Sequence, residues 1–593
     1  MLRTVTTTAD GGPGSLRRAI AQANSGDTIT FAPSLARQTI TLSSPLTIPA
    51  GRQLTIDGRA ATGVILNGGG RHRILQVNSN QAAPTALTLR GLTLANGFTA
   101  QRGGAVHLGH RGQLTVANVN FRNNVANEGG GAIFTSFEGR LRVFGSQFVN
   151  NQAVAGNNER GAGAIAYWGP NPLEVRNSTF INNLGINGGA INSLNAPLTI
   201  QNTRFFGNRT TTARFDTGNP RPFLRGYGGA IYVDRASSAS NATAGTITIT
   251  GSTFGNNRGR GEGGAAYLYT GSQDRVIVTN SRFQNNGVAA LPGGRPGYGG
   301  AIVQLSDGLN RGFTVNNTLF TGNVAAEQGG GIWTRDAPTT INASTFSGNR
   351  TTGQTFNSFG GGMMIDSPTT INGSIFANNR AGWVGGALTA SRNDRVAVGN
   401  SIFFNNTADN GPNDWNIQQH TNRELVDLGN NFQFPPRQTS DSNDNNVTAT
   451  IRTDVNPQLI LQPNGTFVIG NPAVSLQPPA AAKGSLIAAG EDTLLGQSGM
   501  LVGEGDRLLG HREVALPLNA IAPSGRYSSE APHDEQDHAL AAIVPAALTQ
   551  GRIEELSPGT HSSGISATAP APVEDALADW AANSAMLEGT TVI

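Results

Sequence analysis

Short runs in which apolar and polar residues alternate fill most of the chain from residue 28 to residue 406. In Leu198-Thr199-Ile200, as in Ile247-Thr248-Ile249, two apolar side chains flank a polar one. A period of two residues predicts β-strands with one buried face. Most of these runs end in a turn-forming residue, so we expect short strands joined by tight turns.

A longer period is superimposed on the strands. Residues 188–208, GGAINSLNAPLTIQNTRFFGN, contain one full copy, which starts with Gly-Gly-Ala-Ile and holds a Phe followed three residues later by Asn. The Phe-x-x-Asn half occurs ten times, at intervals of 25 to 49 residues. Intervals of this size are typical of solenoids. Three short strands fit into one interval and leave no room for a helix.

Stacked coils of this kind predict two continuous columns of side chains. Each Phe would lie above a Phe, and each Asn above an Asn, which gives an apolar interior and an amide ladder along one corner. The predicted ladder consists of Asn124, Asn151, Asn183, Asn208, Asn257, Asn286, Asn323, Asn349, Asn379 and Asn406.

The residue three positions before each Phe is Asn or Gly in nine of the ten copies. These two residues adopt positive φ most readily, so the position predicts a left-handed corner between two strands. Ala343 is the exception, and there we expect the corner to shift to Asn342.

The pairing of Gly-Gly-Ala-[Ile/Leu/Val] with Phe-x-x-Asn resembles the repeats of chlamydial-type polymorphic outer membrane proteins. More widely it is similar to bacterial parallel β-helix proteins of the pectin-lyase-like class. The resemblance covers about residues 102–406. It implies an all-β fold, a right-handed, single-stranded parallel β-helix. Because this fold serves adhesins, enzymes and passive scaffolds, it leaves the function open.

The two ends of the chain differ from the repeats. Ser15 is a good N-cap, and Leu16, Ala19, Ile20 and Ala23 share one helical face, so residues 1–30 are predicted to cap the solenoid with a short amphipathic helix. This segment is similar to the CSLREAI segment of bacterial β-helix surface proteins. Residues 31–490 are assigned to the β-helix.

Residues 491–593 contain 15 acidic and 4 basic residues and are rich in Gly, Pro, Ser and Ala. This composition predicts a largely disordered, acidic tail, with possible short helices at 539–548 and 573–587.

Composition excludes several functions. There is no Cys, which removes disulfides and thiolate catalysis. The net charge is only +3 and the Arg residues are scattered, so no nucleic-acid partner is predicted. No stretch is apolar enough for a secretory signal or a membrane span. The resemblance nevertheless implies an extracellular or cell-surface protein, with the export route left open.

An outward-facing stripe is the first candidate site. If the Ile of Gly-Gly-Ala-Ile faces inward, the next residue faces outward, and this position includes Phe134, Tyr232, Tyr267 and Trp333. Exposed aromatic rings would bind sugar rings or an apolar partner. Alternatively, insertions at 209–227 and 287–298 fold over this face and cover it.

A carboxylate pair is the second candidate. Asp336 and Asp366 lie in the matched segments TRDAPTTIN and MIDSPTTIN, one coil apart. Carboxylates on adjacent coils would be about 5 Å apart, as a retaining glycosidase or a calcium site requires. The alternative is that both are repeated turn residues. No metal or other cofactor is predicted.

These observations favour an adhesin-like binding scaffold that recognises glycans or another surface and catalyses no reaction. The motifs that the resemblance implies for polygalacturonases, such as Gly-His-Gly, are not found in the sequence. Two alternatives remain: a polysaccharide lyase or glycoside hydrolase that uses Asp336 and Asp366, and a purely structural surface or matrix component. The oligomeric state is left open.

Overall fold

A computed structural model describes residues 1–154, 161–211, 226–237, 244–290, 297–308, 311–409, 417–438 and 444–476. Within them the chain forms a parallel β-solenoid, which confirms the all-β fold class. Each regular coil adds one strand to each of four sheets, in the order sheet 1, sheet 2, sheet 3 and sheet 4. The sequence predicts three strands in each coil. It does not reveal the strand of sheet 3, because this strand is only two or three residues long.

Sheets 1 and 2 meet at the first corner of each coil. The described strands of sheet 1 are Leu2–Val5, Thr28–Phe31, Gln53–Asp57, Ala86–Arg90, Gln113–Ala117, Arg140–Phe144, Leu173–Arg176, Leu198–Gln201, Thr246–Thr250, Arg275–Thr279, Phe313–Asn316, Thr339–Asn342, Thr369–Asn372, Val396–Gly399 and Val426–Asp427. Those of sheet 2 are Thr39–Thr41, Ile65–Asn67, Thr93–Ala95, Asn120–Arg122, Gln147–Val149, Thr179–Ile181, Arg204–Phe206, Thr253–Gly255, Arg282–Gln284, Leu319–Thr321, Thr345–Ser347, Ile375–Ala377, Ile402–Phe404 and Phe432–Phe434.

Sheets 3 and 4 complete the coil. The described strands of sheet 3 are Phe98–Thr99, Val125–Ala126, Gln152–Ala153, Leu184–Gly185, Arg209–Thr210, Arg258–Arg260, Gly287–Ala289, Val324–Ala325, Arg350–Thr351, Arg380–Ala381, Thr407–Ala408 and Ile417–Gln418, the last one antiparallel. Those of sheet 4 are Leu46–Ile48, Leu75–Val77, Val106–Leu108, Ile133–Thr135, Ile165–Trp168, Ile191–Leu194, Ile231–Asp234, Ala266–Thr270, Ile302–Ser306, Ile332–Arg335, Met363–Asp366 and Leu388–Ala390.

A helix at Leu16–Gln22 follows the first strand. The Ser15 hydroxyl accepts a hydrogen bond from the Arg18 N–H, as an N-cap does, and Ile20 is buried in the main apolar cluster. Short 3₁₀ helices follow at Pro33–Leu35 and Arg59–Ala61. Since Leu2–Val5 pairs with Thr28–Phe31, the first 30 residues already contribute two strands to sheet 1. Their likeness to the CSLREAI segment remains a prediction.

All ten predicted corner residues between sheets 1 and 2 have positive φ, from 44° to 63°. Ala343 is among them, with φ of 47°, so the expected shift to Asn342 is wrong. Asn342 instead ends its strand in register with Asn372. Pairing along the stack therefore imposes the corner on Ala343, although an Ala in this conformation costs about 1 kcal/mol.

A second left-handed corner, between sheets 2 and 3, was not predicted. It lies two residues after each Phe and has φ between 49° and 63°. The signal was present, because the motif reads Phe-x-[Asn/Gly]-Asn in every copy. The corner residues are Asn123, Asn150, Asn182, Gly207, Asn256, Asn285, Gly322, Gly348, Asn378 and Asn405.

The ten Phe residues form one column in the core. Each is 0% exposed, and successive rings are 4.6 to 5.2 Å apart with interplanar angles of at most 9°. The column consists of Phe121, Phe148, Phe180, Phe205, Phe254, Phe283, Phe320, Phe346, Phe376 and Phe403.

The ten Asn side chains form a second buried column, and each is 0% exposed. The Asn257 amide is typical: its Nδ2 donates to Asn286 Oδ1 at 2.9 Å and to the carbonyl of Phe205 at 3.0 Å. Its Oδ1 accepts from both the backbone N–H and the Nδ2 of Asn208, each at 3.0 Å. One side chain therefore joins three coils with no polar atom left unpaired.

His420 ends the amide column. Its Nδ1 lies 3.1 Å from Asn406 Nδ2, and its Nε2 lies 3.1 Å from the carbonyl oxygen of Pro435. Because that carbonyl can only accept, Nε2 carries the proton and Nδ1 accepts from Asn406. Burial lowers the pKa of His420 to about 4.

We expect His420 to make the fold sensitive to mild acid. Its pKa falls from 6.5 to about 4 on folding, so its contribution is complete above pH 6.5 and is lost as the pH falls towards 4. The shift corresponds to roughly 3 kcal/mol. The variant His420→Gln, which cannot titrate, should lose this dependence. Urea denaturation of both proteins at pH 7 and at pH 5 measures the effect, and identical pH slopes would contradict it.

The last two described strands form a hairpin and not a further coil. Strands Leu459–Leu461 and Phe467–Ile469 pair antiparallel and pack with Ile375 and Ile402 on the outer face of sheet 2. The Arg282 guanidinium donates to the carbonyl of Asn464 at 2.9 Å. This arrangement differs from the expectation that the stack continues to residue 490. Residues 477–490 and the acidic tail at 491–593, with its two possible helices, lie outside the described residues.

Candidate functional site

The outer face of sheet 4 carries two columns of side chains. The first contains the four aromatic residues of the predicted stripe, which face away from the main core as expected. Their exposed fractions are only 2% for Phe134, 4% for Tyr232, 7% for Tyr267 and 7% for Trp333. The prediction of an exposed aromatic ribbon is therefore wrong. The alternative, that other parts of the chain cover this face, is correct.

Two tyrosine rings and one guanidinium group provide the cover. The Tyr227 ring stacks 4.8 Å from Tyr267, and the Tyr298 ring stacks 5.3 Å from Trp333. At the other end of the sheet, the Arg102 guanidinium lies 5.2 Å from the Phe134 ring centroid. Much of this face is thus a small second apolar cluster outside the main core.

The Gly-Gly turn explains how the cover forms. In Tyr227-Gly228-Gly229-Ala230-Ile231-Tyr232 it brings the residue before the two glycines back over the residue five positions later. Gly228 has φ of 63°, and a Cβ there would lie 2.0 Å from the Ile231 carbonyl oxygen. The same turn lets Gln328 accept a hydrogen bond from Trp333 Nε1 at 2.9 Å. The sequence signal for the covered face was therefore the identity of the residue that precedes each Gly-Gly pair.

The second column lies two residues further along each strand of sheet 4 and becomes polar towards the C-terminal end of the sheet. It runs through Asp234, Tyr269, Leu305, Arg335 and Asp366 in register. Arg335 and Asp366 are partly exposed, with side-chain fractions of 49% and 37%. Accessible charged groups thus lie beside the covered aromatic cluster.

Asp336 and Asp366 approach one another, but not as a stacked pair. Arg335, not Asp336, pairs with Asp366 across sheet 4, while Thr339 pairs with Thr369 in sheet 1. Asp336 is therefore an extra residue in the corner, with φ of 56°. The two matched segments hid this shift because they align with no gap.

Arg335 lies between the two carboxylates. Its Nε is 3.6 Å from Asp336 Oδ2 and 3.7 Å from Asp366 Oδ2. The arrangement thus differs from the directly opposed acids that the sequence predicts, because a cation separates them. Partial burial raises the pKa of Asp336, while the charge of Arg335 opposes the shift.

A third carboxyl group, which sequence analysis did not identify, joins them from the next coil. Asp394 lies in the loop after strand Leu388–Ala390 and is hydrogen-bonded to the side chain of Asp366. Burial, followed by the negative charge of Asp366, raises the pKa of Asp394 to about 6. Arg423 holds this loop by donating to the carbonyls of Ser391 and Asp394 at 2.9 and 2.6 Å.

We refer to Arg335, Asp336, Asp366 and Asp394 as the carboxylate rim. It offers carboxyl oxygens that accept hydrogen bonds and a guanidinium with several donors, and Asp394, with a pKa of about 6, adds a further donor when it is protonated. Vicinal hydroxyl groups need such a mixture of donors and acceptors. Among the described residues, no group of three or more His, Cys, Asp or Glu side chains is arranged to hold a metal ion.

A second polar cluster on the same face is formed by residues of the three coils that precede Arg335. Arg235 forms an ion pair with Asp307 at 2.5 Å, and its side chain is only 10% exposed. Burial, together with the charge of Asp307, raises the pKa of Tyr269, so the phenol stays protonated. This cluster is closed and presents little of Arg235 to solvent.

Fold and stacking define the protein as a parallel β-solenoid built from sequence repeats. Two segments, residues 118–136 and 317–335, match the Chlamydia polymorphic membrane protein repeat, which confirms the resemblance noted in the sequence. No curated protein sequence matches the chain significantly. In the described part of the chain, no helix has the length and apolarity needed to cross a membrane.

The chain is similar to several solved structures at low sequence identity. A PL6 alginate lyase in complex with a trisaccharide is 12% identical, with 79% of this chain and 91% of that chain covered and a TM-score of 0.42. A mannuronic acid specific family 6 lyase from human gut microbiota is 11% identical, with 73% and 81% covered and a TM-score of 0.28. Bacteriophage CBA120 tailspike protein 3 is 12% identical, with 78% and 66% covered and a TM-score of 0.32. Similarity at this level supports no inference about chemistry.

Proposed function

We propose that this protein is an extracellular or cell-surface scaffold, adhesin-like, that binds glycans through the carboxylate rim. The observation that carries the proposal is the meeting of Arg335, Asp336, Asp366 and Asp394 at an accessible edge of sheet 4. The repeat shared with Chlamydia polymorphic membrane proteins supports a place at a surface.

The neighbourhood of the rim suits a sugar ring. Trp333 and Met364 precede Arg335 and Asp366 by two residues, so they occupy the same face of sheet 4. Met364 is only partly buried. A pyranose has an apolar C–H face and a hydroxyl edge, and this site places an apolar side chain beside charged hydrogen-bonding groups.

A glycan array with the full chain tests the proposal. Wild type should bind at least one glycan class. Asp366→Asn and Arg335→Gln should each lower the affinity by about 10-fold or more, because each removes charge-assisted hydrogen bonds. Asp454→Asn is a matched control, since that side chain is 73% exposed and lies outside the rim. Binding that the rim variants leave unchanged would refute the site, and no binding at all would favour a structural component.

A carbohydrate-active enzyme, lyase or hydrolase, is the second candidate. It is favoured by one observation: Asp394, with a pKa of about 6, is hydrogen-bonded to Asp366, whose charge helps to keep it protonated. A carboxyl group with a raised pKa beside a second carboxyl group is what acid–base cleavage of a glycoside requires. Release of reducing ends from a polysaccharide panel by wild type, abolished in Asp336→Asn/Asp366→Asn and in Asp394→Asn, would replace the scaffold by this function.

A further inference from the structure

Arginine is distributed unevenly around the solenoid. The described strands of sheets 2 and 3 contain eight arginines but no Asp or Glu. The eight are Arg122, Arg204, Arg209, Arg258, Arg260, Arg282, Arg350 and Arg380. Sheets 2 and 3 meet at the second left-handed corner, so all eight arginines lie on one side of the solenoid.

Seven of these residues are exposed, and five of the seven, Arg204, Arg209, Arg258, Arg260 and Arg282, belong to three successive coils. We call Arg204, Arg209, Arg258 and Arg282 the arginine edge. Arg209 pairs with Arg258 across sheet 3. Arg204 and Arg282 flank Thr253 on its two sides in sheet 2. The Cα atoms are therefore about 5 Å apart in the first pair and about 10 Å apart in the second.

In the part of the chain that the structure describes, the cations of the arginine edge have no carboxylate partner. None of the ion pairs among the described residues includes any of the four, whereas Arg17, Arg59 and Arg111 on other parts of the solenoid pair with Asp or Glu. Backbone carbonyls hold two of them in place instead. Arg258 donates to the carbonyls of Asn257 and Asn285, and Arg282 to that of Asn464. Within the described residues, like charges are thus held close together with no carboxylate paired to them.

An apolar side chain accompanies the charges. Phe206 lies between Arg204 and Arg209 in the chain and is 50% exposed. Its ring rests on Gly255 of the next coil, where a Cβ would come within 2.6 Å of the ring. Ile181, its partner on the preceding coil, is partly exposed as well. A basic surface with an exposed aromatic ring is the pattern of proteins that lie on anionic membranes.

We infer that the arginine edge docks the solenoid onto a phosphate-rich anionic lipid surface, with Phe206 contacting the headgroup region. Guanidinium groups match phosphate oxygens in a bidentate manner. The outer corner of a solenoid is convex, so it fits an extended surface better than a single polymer chain, which needs a groove. A single-stranded nucleic acid would need several stacking platforms, and the described part of the edge offers one.

Co-sedimentation of the full chain with vesicles tests the inference. One vesicle preparation is phosphatidylcholine alone and the other contains one third phosphatidylglycerol. The variant replaces Arg204, Arg209 and Arg258 by Gln and keeps Arg282, which also holds the hairpin. The control variant replaces three exposed arginines of sheet 1, Arg90, Arg140 and Arg275, by Gln and changes the net charge equally.

Wild type should bind the anionic vesicles only, and about 0.5 M NaCl should release it. The edge variant should bind about 100-fold more weakly, because each arginine near an anionic surface contributes about a fivefold gain. The control variant should lose far less, and Phe206→Ala should weaken binding several-fold. Equal losses in the two triple variants, no vesicle binding by wild type, or stronger binding to single-stranded DNA or dextran sulfate than to vesicles would each overturn the inference. Glycan binding through the carboxylate rim is measured separately and can fail independently.

Discussion

Replacing Asn257 by Ala should lower the free energy of unfolding by about 4 kcal/mol. The change removes the acceptor for the Asn208 backbone N–H and for one N–H of its side chain, and it removes the donor to the Phe205 carbonyl. All these groups are buried where water cannot replace the lost partner. A buried polar group left without a hydrogen bond costs about 1–3 kcal/mol, so three such groups exceed the effect of most single substitutions.

Urea denaturation followed by circular dichroism measures this loss, with Asn256→Gly as the matched control. Asn256 is the preceding residue, is exposed and has φ of 54°, a conformation that Gly adopts freely. We expect the control to stay within about 0.5 kcal/mol of wild type. Equal effects of the two substitutions would show that the buried amide column contributes little to stability.

Replacing Phe254 by Ala should cost about 4 kcal/mol. The ring is 0% exposed and stacks 4.7 Å from Phe205 and 4.6 Å from Phe283. Truncation leaves a cavity that the neighbouring coils cannot fill, since hydrogen bonds along the sheets fix their spacing. Buried Phe→Ala substitutions cost about 3–5 kcal/mol.

Two further variants separate the contributions of burial and of ring stacking to this loss of stability. Phe206→Ala removes the same side chain from an exposed position on the preceding coil and should cost less than about 1 kcal/mol. Phe254→Leu keeps most of the volume but loses the stacking, so its cost should be about 1–2 kcal/mol. Thermal and urea denaturation measure all three. A Phe254→Ala variant as stable as Phe206→Ala would contradict the role of the stacked column.

At Ala343, local conformational preference and strand register favour different positions for the corner. The outcome shows how tertiary structure overrides local preference. Local propensity places the left-handed corner at Asn342, yet Ala343 takes it, because Asn342 is paired in the ladder with Asn372. Parallel register fixes where each coil must bend. A single unfavourable residue, at about 1 kcal/mol, cannot shift a register that many hydrogen bonds maintain.

The candidate site was only partly predictable, because strand register and loop packing decide which side chains meet there. Asp336 and Asp366 were found because their segments match, but the match concealed the extra residue that puts Arg335 opposite Asp366. Asp394 shares no motif with them and belongs to a loop of another coil. Its proximity depends on how the loop folds over the preceding coil, which sequence spacing does not encode.

The sequence alone determined the all-β solenoid and which residues stack. These features repeat once per coil, and each copy of the repeat needs only its neighbours above and below. Tertiary structure decided which outward positions are accessible: Tyr227 and Tyr298 cover the aromatic stripe, while the carboxylate rim and the arginine edge remain open to solvent. The physical reason is that inward burial follows from strand alternation, whereas outward exposure depends on turns and side chains that do not repeat.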